Sequence, residues 1–192
     1  MVTRELSDRG AETRALILDT ALAAFAEGGY RGTSVREIAS RCGLTHPALL
    51  YHFPRKPDLL MAVLTRRDEA DGGEGFEELG PRAMLDHLVA TARLNATQRG
   101  VVELYATLST EASSPDHPAR AYFQARYAAL VGNLGRAYRA LAEEGALAPG
   151  VDPEAAPRQL VALMDGLQVQ WLLDPTVDMA GVLEAHVRAQ LT

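Results

Sequence analysis

The side chains best suited to chemistry concentrate in one stretch of the chain. Thr45, His46, Pro47 and Tyr51 fall at helical spacing and offer hydrogen-bonding groups and a ring edge of the kind that meets base edges, thymine methyls and phosphates. Thr33 and Ser34 stand where a helix begins, and free N–H groups at such a start attract anions. His52 and Lys56 are further phosphate-seeking groups, Lys56 being the one lysine of the chain. Catalytic or metal chemistry finds no comparable footing. The five histidines, His46, His52, His87, His117 and His186, show no His-x-x-x-His spacing, the single Cys42 has no Cys-x-x-Cys partner, and no phosphate-binding glycine loop occurs. The expectation is a non-enzyme with no cofactor and no metal.

These side chains need elements that aim them outward, and the local sequence supplies two. Ser34 and Glu37 have capping-box spacing at the start of a short helix whose inner side is Val35, Ile38 and Ala39. Cys42-Gly43-Leu44 makes a tight turn. Thr45 then caps a second short helix that tolerates Pro47 in its first turn. The product is a helix-turn-helix, in which the first helix braces the second and the outer residues of the second enter the DNA major groove. Phe53 reads as an aromatic plug, and Tyr51 reads equally as a plug or as a DNA contact.

Charge fits this division. The net charge of −6 argues against a nucleic-acid partner, yet residues 1–67 hold ten Arg/Lys against seven Asp/Glu, while the remainder holds nine against eighteen. A basic head on an acidic body is the expected distribution when local charge draws phosphates. With 47% hydrophobic and 23% charged residues the chain can bury a sizeable core. No apolar run is long enough for a membrane span, and a lone cysteine suits a reducing compartment, so a cytoplasmic protein with no membrane partner is expected.

Periodicity elsewhere is helical, with almost no strand-like alternation, giving an all-α chain of about nine helices. The first spans roughly Ala11 to Glu27 and stops at Gly28-Gly29. After Pro54 and Pro57 a fourth helix turns Leu60, Val63 and Leu64 inward, and Asp68 to Gly80 is a frayed helix end or a loop. Later segments fall at about 81–97, 100–113, 118–144, 154–173 and 178–190, with a loop from Gly145 to Pro153.

The segment from Tyr30 to Leu60 resembles the TetR family of transcriptional regulators. The resemblance rests on Gly29, Tyr30 and Thr33, then Ile38-Ala39, Gly43, and above all Tyr51-His52-Phe53-Pro54 with Lys56 and Leu59-Leu60. Later, only Gly145 to Pro153 and the pattern from Asp165-Gly166-Leu167 to Leu172-Leu173-Asp174 look like the family. The resemblance implies a three-helix DNA-binding head, residues 1–56, and an effector-binding and dimerisation domain, residues 57–192. One departure stands out: the family usually places a phosphate-contacting tyrosine where this chain has Leu50, with Tyr51 one position later. Either Tyr51 takes that contact or Leu50 makes an apolar one.

The implied protein is a regulator, most simply a repressor, that leaves a palindromic operator in double-stranded DNA when a small organic effector binds; an activator or a helical protein adaptor are the alternatives. Polar groups interrupting apolar faces of the body, His87, Asn95, Tyr105, Tyr122, Arg126 and Gln168, are the expected effector contacts. A homodimer would set two recognition helices about 34 to 36 Å apart. Its expected interface is Leu160, Leu163, Leu167, Trp171, Val182, Leu183 and Val187, two helices from each subunit. The fourth helix, as the sole connection between head and body, is the expected lever.

Overall fold

The computed structural model describes residues 2–70 and 75–192. Among them it contains nine α-helices and no named strand. These are α1 (Val2–Gly32), α2 (Val35–Arg41), α3 (His46–His52), α4 (Lys56–Ala70), α5 (Pro81–Asn95), α6 (Arg99–Glu111), α7 (Arg120–Glu143), α8 (Ala156–Leu173) and α9 (Met179–Ala189). A short 3-10 turn, Phe76–Glu78, precedes α5, and residues 71–74 of the expected frayed end or loop lie outside the described residues. No helix of the described residues is long and apolar enough to cross a membrane.

α1 begins earlier than its apolar periodicity indicates, at Val2, and its regular turns end where two glycines announce a stop. Gly29 has φ 67 and ψ 168, a left-handed conformation that breaks the helix before Tyr30. The turn between α2 and α3 uses the same device: Gly43, at φ 66, lets the Leu44 N–H reach back 2.9 Å to the Ala39 carbonyl.

The chain divides into two compact units. One comprises Met1–Ala70 and Glu103–Arg120, the other Asp71–Val102 and Ala121–Thr192. The boundary expected at residue 56 falls inside the first unit, and α6 starts in the second unit and ends in the first. The fourth helix is therefore not the sole connection between head and body: the chain passes between the two units three times, once within α6 and once at the first residue of α7. Sequence periodicity locates α6 but carries no sign of which neighbours its successive turns meet.

In the first unit, α1 packs on α4 and α2, and α2 on α3. Ile17, Phe25, Ile38, Leu49, Leu59, Leu60 and Leu64 are fully buried there, as are Leu104 and Leu108 from α6. In the second, α9 packs on α5 and α8. Its core joins Leu85 and Leu88 of α5, Leu134, Tyr138 and Leu141 of α7, Leu160 and Trp171 of α8, and Leu183 of α9. The C-terminus is tied down by a bridge between Leu191 and Leu147 and by the Tyr138 hydroxyl donating to Gln190 Oε1. Burial pushes the Tyr138 phenol up to about 12.

Candidate nucleic-acid interface

α3 is too short to stand alone, so its position depends on caps and on one anchor. Thr45 Oγ1 accepts the Ala48 N–H at 3.3 Å, and Pro47 sits in the first turn, where its missing N–H is harmless. Leu49 points inward and is completely buried. Phe53, which ends the helix, is buried beneath the Arg14 guanidinium, 4.9 Å from its ring centre. With that side fixed, Thr45, Pro47 and Tyr51 are exposed, flanked by half-buried His46, Leu50 and His52. Tyr51 is 85% exposed, with the His52 ring edge-to-face beside it, ring centres 5.4 Å apart. Of its two readings, the plug is therefore wrong, because an inward residue one turn along the helix would not leave its ring in solvent.

The residues around the second helix behave unequally. Ser34 caps α2 by accepting the Glu37 N–H at 3.1 Å, but the reciprocal half of a capping box is missing because Glu37 pairs with Arg41 at 2.7 Å. Arg41 also holds Glu27 at 2.7 Å, clamping α2 to the end of α1. Thr33 is only 3% exposed, and its hydroxyl lies 2.9 Å from the carbonyl oxygens of both Ala24 and Gly29. That hydroxyl joins the end of α1 rather than facing a ligand. Lys56 is half-buried, with Nζ 4.3 Å from the centre of the Tyr30 ring. Burial lowers its pKa, and the nearby Glu111 carboxylate opposes that shift.

Three groups near this surface escape a reading by sequence. Tyr30 belongs to the family pattern, but its role as a platform for Lys56 appears only in the fold. Glu111 accepts the Tyr30 N–H at 3.1 Å across a sequence separation of 81 residues. His117 is buried against Tyr30, ring centres 5.0 Å apart, and its Nδ1 accepts the Ala119 N–H. Burial, opposed by Glu111, holds the His117 imidazole below its ordinary pKa.

The body residues separate as well. Asn95 and Gln168 line one cavity of about 10 Å³ with Ala92, Met164, Leu167, Met179 and Leu183. Tyr105 belongs to the first unit instead, its hydroxyl 3.1 Å from Asp68 Oδ1. His87 packs on Phe76, and Tyr122 on Phe123. Arg126 lies near Asp165, whose pKa burial raises against the opposing pull of the Tyr127 hydroxyl and the Arg126 charge. The six expected effector contacts thus do not gather in one described cavity. Among the described residues no three His, Cys, Asp or Glu side chains could share a metal ion.

The expected dimer stripe needs a larger correction. Leu160, Leu167, Trp171, Leu183 and Val187 are buried within the chain, where α8 and α9 face α5 and α7. Only Leu163, half-buried, and Val182, 44% exposed, keep accessible surface. The large apolar side chains that α8 and α9 leave in solvent are Val169, Leu173 and Val182. Both helices carry more than one apolar face, and the strongest stripe belongs to the chain's own core.

A helix braced from behind, with a polar and aromatic outer row, defines a helix-turn-helix DNA-binding regulator. Residues 17–63 match the model of bacterial regulatory proteins of the tetR family, and residues 81–192 match that of the BetI-type transcriptional repressor C-terminal region. The probable HTH-type transcriptional regulator ArpR of Pseudomonas putida is 30% identical over 97% of this chain and 93% of its own length. Among solved structures, NalD, the secondary repressor of the MexAB-OprM multidrug efflux pump in Pseudomonas aeruginosa, is 25% identical with TM-score 0.76, covering 96% of this chain and 98% of that one. A SmeT–triclosan complex shares the fold at TM-score 0.78 and 23% identity, covering 94% and 92%. The chain belongs to the TetR family, and it is a DNA-binding transcriptional regulator.

Proposed function

We propose that this protein is a cytoplasmic repressor that grips a palindromic operator as a homodimer and releases it when a small organic effector enters the body. The observation that carries the reading is the exposed row Thr45, Pro47 and Tyr51 on a helix whose opposite side is fixed by buried Leu49 and Phe53. His46 and Tyr51 read base edges, while Ser34, His52 and Lys56 take phosphates together with Arg36, exposed on α2. Leu50, half-buried beside Tyr51, supplies an apolar contact, and Thr33 acts through the backbone it steadies.

Residues 1–56 serve as the DNA-binding head and residues 57–192 as the effector and dimerisation body. The dimer face is the outer side of α8 and α9. Ala162, Gly166, Val169 and Leu173 follow one another at helical spacing, as do Val182, Ala185 and Ala189. Small and apolar side chains in that order let two copies approach closely as a four-helix contact. The effector site opens from the Asn95 and Gln168 cavity. At about 10 Å³ it has room for about one water, whereas an organic ligand needs roughly 300 Å³ or more. Binding must therefore widen it, and that expansion is what shifts the heads. The SmeT–triclosan complex, which shares the fold, supports a small organic molecule as the ligand.

A coupling of about 1 to 3 kcal/mol would weaken operator binding about 5- to 150-fold. Selecting sequences from a random duplex pool tests the reading: a two-fold symmetric site with half-sites about one helical turn apart is expected, with affinity falling steeply as salt rises. Enrichment of no sequence, or binding independent of salt, would sink it.

A further inference from the structure

Glu111 stands at the head end of a helix that begins in the other unit, and its carboxylate has two uses there. One oxygen accepts the Tyr30 N–H at 3.1 Å, just after the break in α1. The other lies so close to Gly29 that a Cβ at that residue would stand 2.8 Å from it. A Cβ at Gly29 would therefore crowd the carboxylate, and the positive φ at the same residue independently favours glycine. His117 walls the far side: its Nε2 is buried without a hydrogen-bond partner and lies 3.6 Å from Glu111 Oε2, beyond hydrogen-bonding distance. Tyr30, fixed by its own N–H and packed on Phe25 and His117, presents its ring face to the Lys56 ammonium.

We propose that Glu111 is a positioning residue for DNA binding: by pinning Tyr30 it holds the platform that keeps Lys56 at the start of α4, where its ammonium meets a phosphate. The inference rests on the reading of Lys56 as a phosphate contact. It makes an acidic side chain, which by charge alone repels DNA, favourable to binding. The two roles have opposite signs. Simple repulsion means that removing the carboxylate tightens binding; positioning means that removal weakens it and lowers the salt dependence by one phosphate contact per subunit, about 1.8 in slope for the homodimer.

Because Lys56 is the one lysine, ¹³C-lysine labelling of the full chain gives a single lysine side-chain signal, shifted upfield by the Tyr30 ring. In Glu111→Ala the signal should move to the position of an exposed lysine. Selected operator should then bind about three- to tenfold more weakly with the reduced slope, and the substitution should add nothing in a Lys56→Ala background. Glu111→Gln keeps an acceptor for the Tyr30 N–H and should retain both the upfield signal and the slope. If Glu111→Ala does not fold, Glu111→Asp, whose shorter side chain withdraws the carboxylate, should show the same changes in part. An unmoved lysine signal, an unchanged slope or tighter operator binding in the variants that lose the acceptor would overturn the proposal. A wild-type chain that binds no duplex would overturn the operator reading itself, and the lysine signal would tell the two failures apart, since it reports the pin without DNA.

Discussion

The recognition helix α3 and the paired helices α8 and α9 pose the same problem, which of their faces is outside, and solve it differently. α3 has seven residues and one fully buried side chain, Leu49, so its remaining positions are surface almost by necessity. α8 and α9 carry apolar residues around much of their circumference, and the chain's own core claims Leu160, Leu167, Trp171, Leu183 and Val187. A sparse helix declares its outer face, whereas a rich one declares only that something covers it.

The sharpest test of that contrast removes a buried residue from each region. Trp171→Ala should destabilise the fold by about 3 to 5 kcal/mol, and by the same amount at every protein concentration, because the ring packs within its own chain. A loss that vanishes at high concentration would return Trp171 to the interface. Leu49→Ala should cost about 2 to 5 kcal/mol and abolish operator binding, measured by urea unfolding and duplex titration.

Alkaline unfolding, compared between the wild type and Tyr138→Phe, probes the body core. A phenol that ionises near 10 when unfolded and at about 12 when folded stabilises the fold fully below pH 10 and ceases to do so as pH rises through 12. Two pKa units correspond to about 2 to 3 kcal/mol, so Tyr138→Phe should flatten the fall in stability between pH 10 and 12. Leu173→Asp addresses the outer face: at 83% exposure it should leave monomer unfolding unchanged while weakening self-association at least tenfold in sedimentation, about 1.4 kcal/mol. The smallest effect belongs to Tyr51→Phe, which should weaken operator binding by about 0.5 to 1.5 kcal/mol without altering unfolding. No change in affinity would leave the ring, or Leu50, as the contact.

Much of the candidate site was legible because local chemistry fixes it. Thr45 caps α3, Gly43 turns the chain and Ser34 caps α2, each through neighbours within a few residues. The phosphate candidates were less legible. Thr33 looks like a free hydroxyl until the carbonyls of Ala24 and Gly29 close on it, and Lys56 looks like an extended cation until Tyr30 comes under it. Glu111 gave no signal, since an acid in an amphipathic helix is indistinguishable from a solvated one until the fold brings Tyr30 to it.

The amino-acid order by itself determined the helices, the helix-turn-helix, the basic head and the outward row on α3, because capping, glycine turns and 3.6-residue periodicity act over short chain distances. Only the tertiary structure decided which apolar stripe of α8 and α9 lies inside, that α6 ends among the helices of the head, and that one carboxylate supports the platform for Lys56. Those outcomes depend on contacts between residues far apart in the chain, where burial is a competition among faces and the pattern of any one helix does not name the winner.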